Sequence, residues 1–177
     1  SSYNRASKTP EDTVGWFTNK DFNRKEDDHN FLRVEEHNGE QEWVIMDHQG
    51  PGAIVRTWMP YQNPKDPTTT AIIKIYLDGA TEPALEGNML GLLNGTGLFP
   101  FPFAHKSLRS SVSFFPIPYA KSCKITVTEQ PFFYQITFRA YDEGTAIKTF
   151  TMEDFEAAKA QTAQLGQLLL SPENTAN

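Results

Sequence analysis

The sequence predicts an all-β protein, a jelly-roll β-sandwich closed by one C-terminal α-helix. Seven or eight short runs rich in β-branched and aromatic residues are separated by Gly, Pro and Asn turns. Within these runs apolar and polar residues alternate, as a half-buried strand requires: Ile125 and Val127 alternate with Lys124, Thr126 and Thr128. A helical period appears only after residue 150. Strands of this number, without intervening helices, suit two facing sheets joined by Greek-key connections. At 177 residues the chain is long enough for one domain with its own core.

Residues 1–29 read as an irregular arm: polar, without a sustained period, and dotted with Tyr3, Trp16, Phe17 and Phe22. Aromatics on a polar arm pack against a body or line a cleft, and a docked tail is the simpler reading. The sandwich is expected over 30–150. Phe31–Glu36 and Glu42–Asp47 flank His37-Asn38-Gly39-Glu40, and Asn-Gly between two such runs signals a hairpin. Gly50-Pro51-Gly52 turns the chain into a third strand, Ala53–Trp58, with Ile54, Arg56 and Trp58 expected on one face and Val55 and Thr57 on the other. Tyr61–Thr69 is a proline-rich loop. Ala71–Leu77 is a fourth strand, stopped by Asp78-Gly79.

Residues 80–110 read as a long Gly/Pro-containing excursion, of the kind that carries function or packs on a neighbour. Ser111–Pro116, Ser122–Glu129 and Phe132–Tyr141 supply the remaining strands, with Pro116-Ile117-Pro118 as a proline-guarded corner. On the last strand Phe133, Gln135, Thr137 and Arg139 share one face. Residues 151–177 form a helix and tail belonging to the same domain. Thr151 is the expected N-cap, with Asp154 three residues on, and Pro172 the stop. Met152, Phe155, Ala158, Thr162, Leu165 and Leu169 trace a stripe read as core or interface.

A content of 38% hydrophobic and 12% aromatic residues implies a folded globule. The formal net charge of −6, with no basic stripe, argues against a nucleic-acid partner. No apolar run is long enough to span a membrane. The opening Ser1-Ser2-Tyr3 carries no initiator Met or leader, which is expected of a mature or trimmed form. Cys123 has no partner for an internal disulfide and reads as a small buried apolar side chain.

The familiar chemical motifs are missing. His29, His37, His48 and His105 form no ligand spacing with one another or with cysteine, so neither a metal nor a cofactor is expected. Gly50-Pro51-Gly52 lacks the Lys of a phosphate loop, and no nucleophile elbow occurs. Asp78, Glu82 and Glu86 surround one loop and are the candidates for a carboxylate pair. Apolar neighbours Ala84 and Leu85 would favour a raised pKa at Glu86, but a structural reading is preferred for all three. No catalytic residue is therefore assigned. Arg139 is open to two readings: a simple ion pair, or a fork of donors for a sugar hydroxyl or a catalytic carboxylate.

Seven runs, SSYNR, GWFTNKDF, GPGAIVRTW, IYLDGATEP, FFPIPYAKSCKIT, YQITFRAYDEGT and KTFTMEDFEAAK, resemble in order the N-terminal half of glycoside hydrolase family 172, formerly a domain of unknown function. The resemblance implies the first half of a double jelly roll and assembly as trimers or larger oligomers. It also implies a retaining enzyme acting on fructofuranosides or arabinofuranosides through two glutamates. The family's Gly-Thr-Gly-x-Glu-Asp-Tyr-Phe-like run, in its second half, has no counterpart here, so those glutamates are expected on a second jelly-roll half, in the same or a separate polypeptide. Asn4 stands where the family has Asp; an amide still accepts a hydrogen bond but brings no charge.

By motif position the resemblance assigns substrate-binding residues Asn4, Arg5, Trp16, Asn19 and Arg139. Trp16 would stack on a sugar face, and Arg139 would bind an oxygen or orient a glutamate. The expected partners are carbohydrate and the second half, and the expected location is secreted or periplasmic. The alternative is a non-catalytic single jelly roll that binds carbohydrate or serves as a scaffold.

Overall fold

A computed structural model describes residues 31–60, 71–108, 110–131 and 133–171. Among these residues ten strands form two sheets: β1 (Arg33–His37), β2 (Glu40–Gln49), β3 (Gly52–Pro60), β4 (Ile72–Leu77), β5 (Leu85–Asn88), β6 (Ala104–Ser107), β7 (Ser110–Ser113), β8 (Ile117–Tyr119), β9 (Ser122–Val127) and β10 (Gln135–Ala140). The first sheet runs β1-β2-β9-β4-β5. The second runs β10-β3-β7-β6, with β8 also paired to β3. This is a two-sheet sandwich of jelly-roll type, as the strand spacing predicts.

The β1–β2 hairpin closes on Asn38 (φ 53°) and Gly39 (φ 83°), the left-handed pair that an Asn-Gly turn supplies. His37 faces Glu40 across it. The 80–110 excursion is more ordered than the sequence suggested. It holds β5, a short helix α1 (Met89–Leu93) and β6. Gly, Pro and Asn break these pieces into lengths too short to show a period. The expected corner at 116–118 is instead strand β8, whose Ile117 and Tyr119 are buried. β7 and β8 lie along the same edge of β3 and are interrupted at Pro116, which has no N–H to give to a ladder.

The core lies between the sheets. Ile73, Ile75, Ile125 and Val127 from the first meet Ile54, Met59, Ile117 and Tyr119 from the second. Phe99, Phe150 and Phe155 close one end, with Phe99 stacked on Phe115 at 4.7 Å between ring centres. Phe155 comes from the C-terminal helical segment, which is two helices, not one: α2 (Met152–Ala157) and α3 (Lys159–Leu170), broken at Ala158. Thr151 caps α2 as expected, its hydroxyl accepting from the Asp154 amide at 3.1 Å. Of the expected helical stripe only Phe155 is buried in the core. Met152, Leu165 and Leu169 are exposed. Gly166 is the residue of α3 that meets the body, since a Cβ there would lie 3.1 Å from Pro102.

Among the described residues no helix is long and apolar enough to cross a membrane.

Candidate functional site

Strand β3 positions the residues of interest, and a glycine sets how closely its neighbours approach. A Cβ on Gly52 would fall on the Tyr119 hydroxyl and lie 2.6 Å from the Arg139 carbonyl oxygen. Glycine therefore lets β8 and β10 close on the start of β3. Further along, Thr137 pairs with Arg56 while Phe138 pairs with Ile54, so Val55 bulges out of the ladder. The bulge corrects the expected alternation. Ile54 joins Thr57 and Met59 on the buried side, whereas Arg56 and Trp58 are only part-buried, on the outward side.

That outward side is built in register. Gln135 faces Trp58, Trp58 faces Val112, and Val112 faces His105, one residue each from β10, β3, β7 and β6. Arg56 Nη1 donates to Gln135 Oε1 at 2.8 Å, which fixes the guanidinium against the sheet. Trp58 Nε1 donates to Ser110 Oγ at 2.8 Å, and that hydroxyl donates to the Ser107 carbonyl at 2.8 Å. The indole is thereby held in one orientation beside an open depression of about 580 Å³, whose lining includes Pro60 and Leu108. At the β6 end, the His105 ring stacks on Phe114 at 6.2 Å, and Phe101 meets it edge-on at 6.4 Å. Both phenylalanines are exposed.

Arg139 lies on this same side, two residues beyond Thr137, opposite Ala53. It is exposed, and no ion pair joins it to another described residue. The other predicted site residues, Asn4, Arg5, Trp16 and Asn19, fall outside the described residues. Sequence reasoning named Arg56, Trp58 and Gln135 as strand residues only. Their signal was Arg56 and Trp58 at alternate positions of the GPGAIVRTW run, opposite the polar face of the last strand.

The carboxylates do other work. Glu42 is buried on the outer side of the first sheet. It accepts from Lys74 Nζ at 2.7 Å, Tyr76 Oη at 3.0 Å and Thr126 Oγ1 at 2.6 Å. Desolvation pushes its carboxyl up, but these donors outweigh it and hold the group below the usual range. Asp78, in its turn at φ 56°, accepts from the amides of Ala120, Lys121 and Ser122 and from the Thr149 hydroxyl. These likewise overcome desolvation and lower its pKa. It ties the β4 turn to the β8–β9 turn, an ordinary structural role. Glu86 is exposed on β5, not set in an apolar pocket. Among the described residues the carboxyls that shift, Glu35, Glu42, Asp78 and Asp154, all shift downward, the wrong direction for a general acid. Among the described residues no group of three His, Cys, Asp or Glu side chains is placed to hold a metal. Cys123 is fully buried, and burial pushes its thiol up to about 12.

The face thus presents an aromatic plane and planar hydrogen-bonding groups that can bind and orient a ligand. The comparison with family models matches residues 1–158 to the GH172 first beta-sandwich domain. No curated protein matches the chain.

Proposed function

Because the chain belongs to glycoside hydrolase family 172 over residues 1–158, we propose that it is the sugar-binding sandwich of a retaining furanosidase whose two catalytic glutamates come from a second jelly-roll half. The substrates are fructofuranosides or arabinofuranosides. The working enzyme is an oligomer, exported from the cell. The observation that carries this reading is the outward side of the second sheet. Trp58 and the Arg56–Gln135 pair are locked there by hydrogen bonds at 2.8 Å, with Arg139 beside them and no Asp or Glu among the face's described strand residues. Stacking planes and forked donors are what a furanose ring and its hydroxyls require. Retention needs two carboxyls about 5–5.5 Å apart, one of them with a raised pKa, and the second half supplies them.

The test is titration of the 177-residue chain with methyl arabinofuranoside and methyl fructofuranoside, followed by NMR of the tryptophan indoles. Binding that Trp58→Ala abolishes and Trp58→Phe largely keeps is expected, with no turnover by the chain alone. Absence of binding by either glycoside, or binding that ignores Trp58, overturns the assignment. A second reading, a non-catalytic carbohydrate-binding or scaffold protein, is favoured by the downward shift of every shifted carboxyl among the described residues. The two readings separate on whether adding the glutamate-bearing half creates furanosidase activity.

A further inference from the structure

We propose that Phe101, His105 and Phe114 form a second sugar subsite on the outward side of the second sheet. It takes a further ring of the saccharide whose first ring stacks on Trp58. This inference rests on the carbohydrate reading of that face and extends it from one furanose ring to a chain of linked rings.

The second sheet sorts its aromatic residues by side. Phe115 packs against the core and stacks on Phe99 at 4.7 Å. Phe114, its neighbour in the chain, falls on the other side, two residues beyond Val112, which faces both Trp58 and His105. The Phe114 amide donates to the Phe103 carbonyl at 2.7 Å. That bond carries the pairing with the β6 side past the end of β7 and keeps Phe114 beside His105. The planes of these two rings lie within 28° of each other, and Phe101 closes on His105 at 76°. His105 Nδ1 is enclosed without a hydrogen-bond partner among the described residues, so its aromatic neighbours, and no bond at that atom, place the imidazole. Phe114 is nevertheless 48% exposed and Phe101 59%. Rings that a fold holds in place and leaves open to water mark a contact surface.

Its place relative to Trp58 names the occupant. Trp58 and His105 share one register row with Val112 between them, so two strand spacings, about 9–10 Å, separate their backbones. The indole turns from that row toward Ser110, two residues before Val112, whereas Phe114 lies two residues after it. The two aromatic groups therefore sit toward opposite ends of one face, too far apart to grip the same furanose ring. Between them Val112, 4% exposed, is a low floor over which a chain can pass. The chemistry matches that of the first subsite. One face of a sugar ring is lined by C–H groups, and the negative face of an aromatic ring attracts them and excludes water. Phenylalanine adds no hydrogen bond. The second subsite thus reads the shape of an uncharged ring, while Trp58 and the Arg56–Gln135 pair fix the first.

The experiment titrates the full 177-residue chain by calorimetry with methyl glycosides and with linear di- and trisaccharides of arabinofuranose and of fructofuranose. Wild type, Phe101→Ala, Phe114→Ala and Phe114→Trp are compared, each checked for an unchanged thermal midpoint and for its mass by light scattering. In at least one of the two sugar series affinity should rise from methyl glycoside to trisaccharide by about three- to tenfold. Phe114→Ala and Phe101→Ala should each remove most of that gain and leave the methyl glycoside unaffected, while Phe114→Trp keeps it. NMR should show the His105 ring signals moving with the trisaccharide and not with the methyl glycoside. Affinity that does not grow with length, or a gain that survives both alanine variants, overturns the inference. So does a change of mass in the alanine variants with the gain intact, which would give the cluster to a protein contact. The parent reading fails separately. Trp58-dependent binding of methyl furanosides with no gain on lengthening leaves it standing while this inference falls, and a failure of every furanoside to bind removes both.

Discussion

Replacing Glu42 by Ala should be among the most damaging single changes to the first sheet. Its carboxylate is 1% exposed and is the shared acceptor for an ammonium and two hydroxyls. Removal leaves Lys74, itself 8% exposed, as a buried cation whose remaining acidic neighbours among the described residues are Glu86 and Glu40, the latter at 4.0 Å. It also orphans the hydroxyl of Thr126, which is 0% exposed. Breaking a buried ion pair from one side costs about 3–5 kcal/mol. In a domain of this size each kcal/mol moves Tm by about 2–4 °C, so the midpoint should fall by about 6–20 °C. Glu42→Gln keeps an acceptor for Thr126 but removes the charge that matches Lys74, and should fall between the two. Because the folded carboxyl is depressed below its ordinary value of 4.5, its contribution is complete above that pH and is lost as pH falls through the folded value. Wild type should therefore lose stability more steeply below about pH 4.5 than Glu42→Gln does. Urea denaturation at pH 7, with a thermal series from pH 7 to about pH 3, measures both effects. A cost for Glu42→Ala below about 1 kcal/mol, the level of a surface pair, would refute the idea that the network is buried and mutually dependent.

Two further outcomes follow from the same geometry. Asp78→Asn keeps a side chain suited to the positive φ of that turn but exchanges charge-assisted bonds from three amides and Thr149 for neutral ones. A loss of about 1–2 kcal/mol in urea denaturation is expected, and an unchanged midpoint contradicts the staple role. Cys123 should resist a thiol reagent such as dithionitrobenzoate at pH 8 in the native protein and react at once in denaturant, because it is fully buried with a thiol raised to about 12. Fast native labelling would show that the sandwich opens at β9.

Much of the fold is legible in local pattern. Asn38-Gly39 predicts its hairpin because almost any other pair resists two successive positive φ angles. Ile125 and Val127 mark β9 because alternation is the direct imprint of a two-faced strand. Thr151 with Asp154 marks the start of α2. The misreadings fall where alternation is interrupted or pieces are short. The Val55 bulge inverts the face of everything after Ile54, and nothing in the residue types of that strand announces it. β5, β6 and β8 run for three or four residues each, below the length at which a period can be read.

The sequence by itself determined the sandwich class, the order and turn chemistry of the long strands, and, through ordered motifs along most of its length, the family. Those features depend on residues close together in the chain, where backbone preference and alternation act directly. Tertiary structure alone decided that Glu42, unremarked at the edge of a strand, is a buried ion bound from two other strands. It also decided that Arg56, Trp58, Gln135 and Arg139 share one outward face. Arg56 and Gln135 lie 79 positions apart in the chain and 2.8 Å apart in space. Only strand pairing and the register of a bulge bring them together, and both are set by long-range hydrogen bonding and core packing, which no local window of sequence contains.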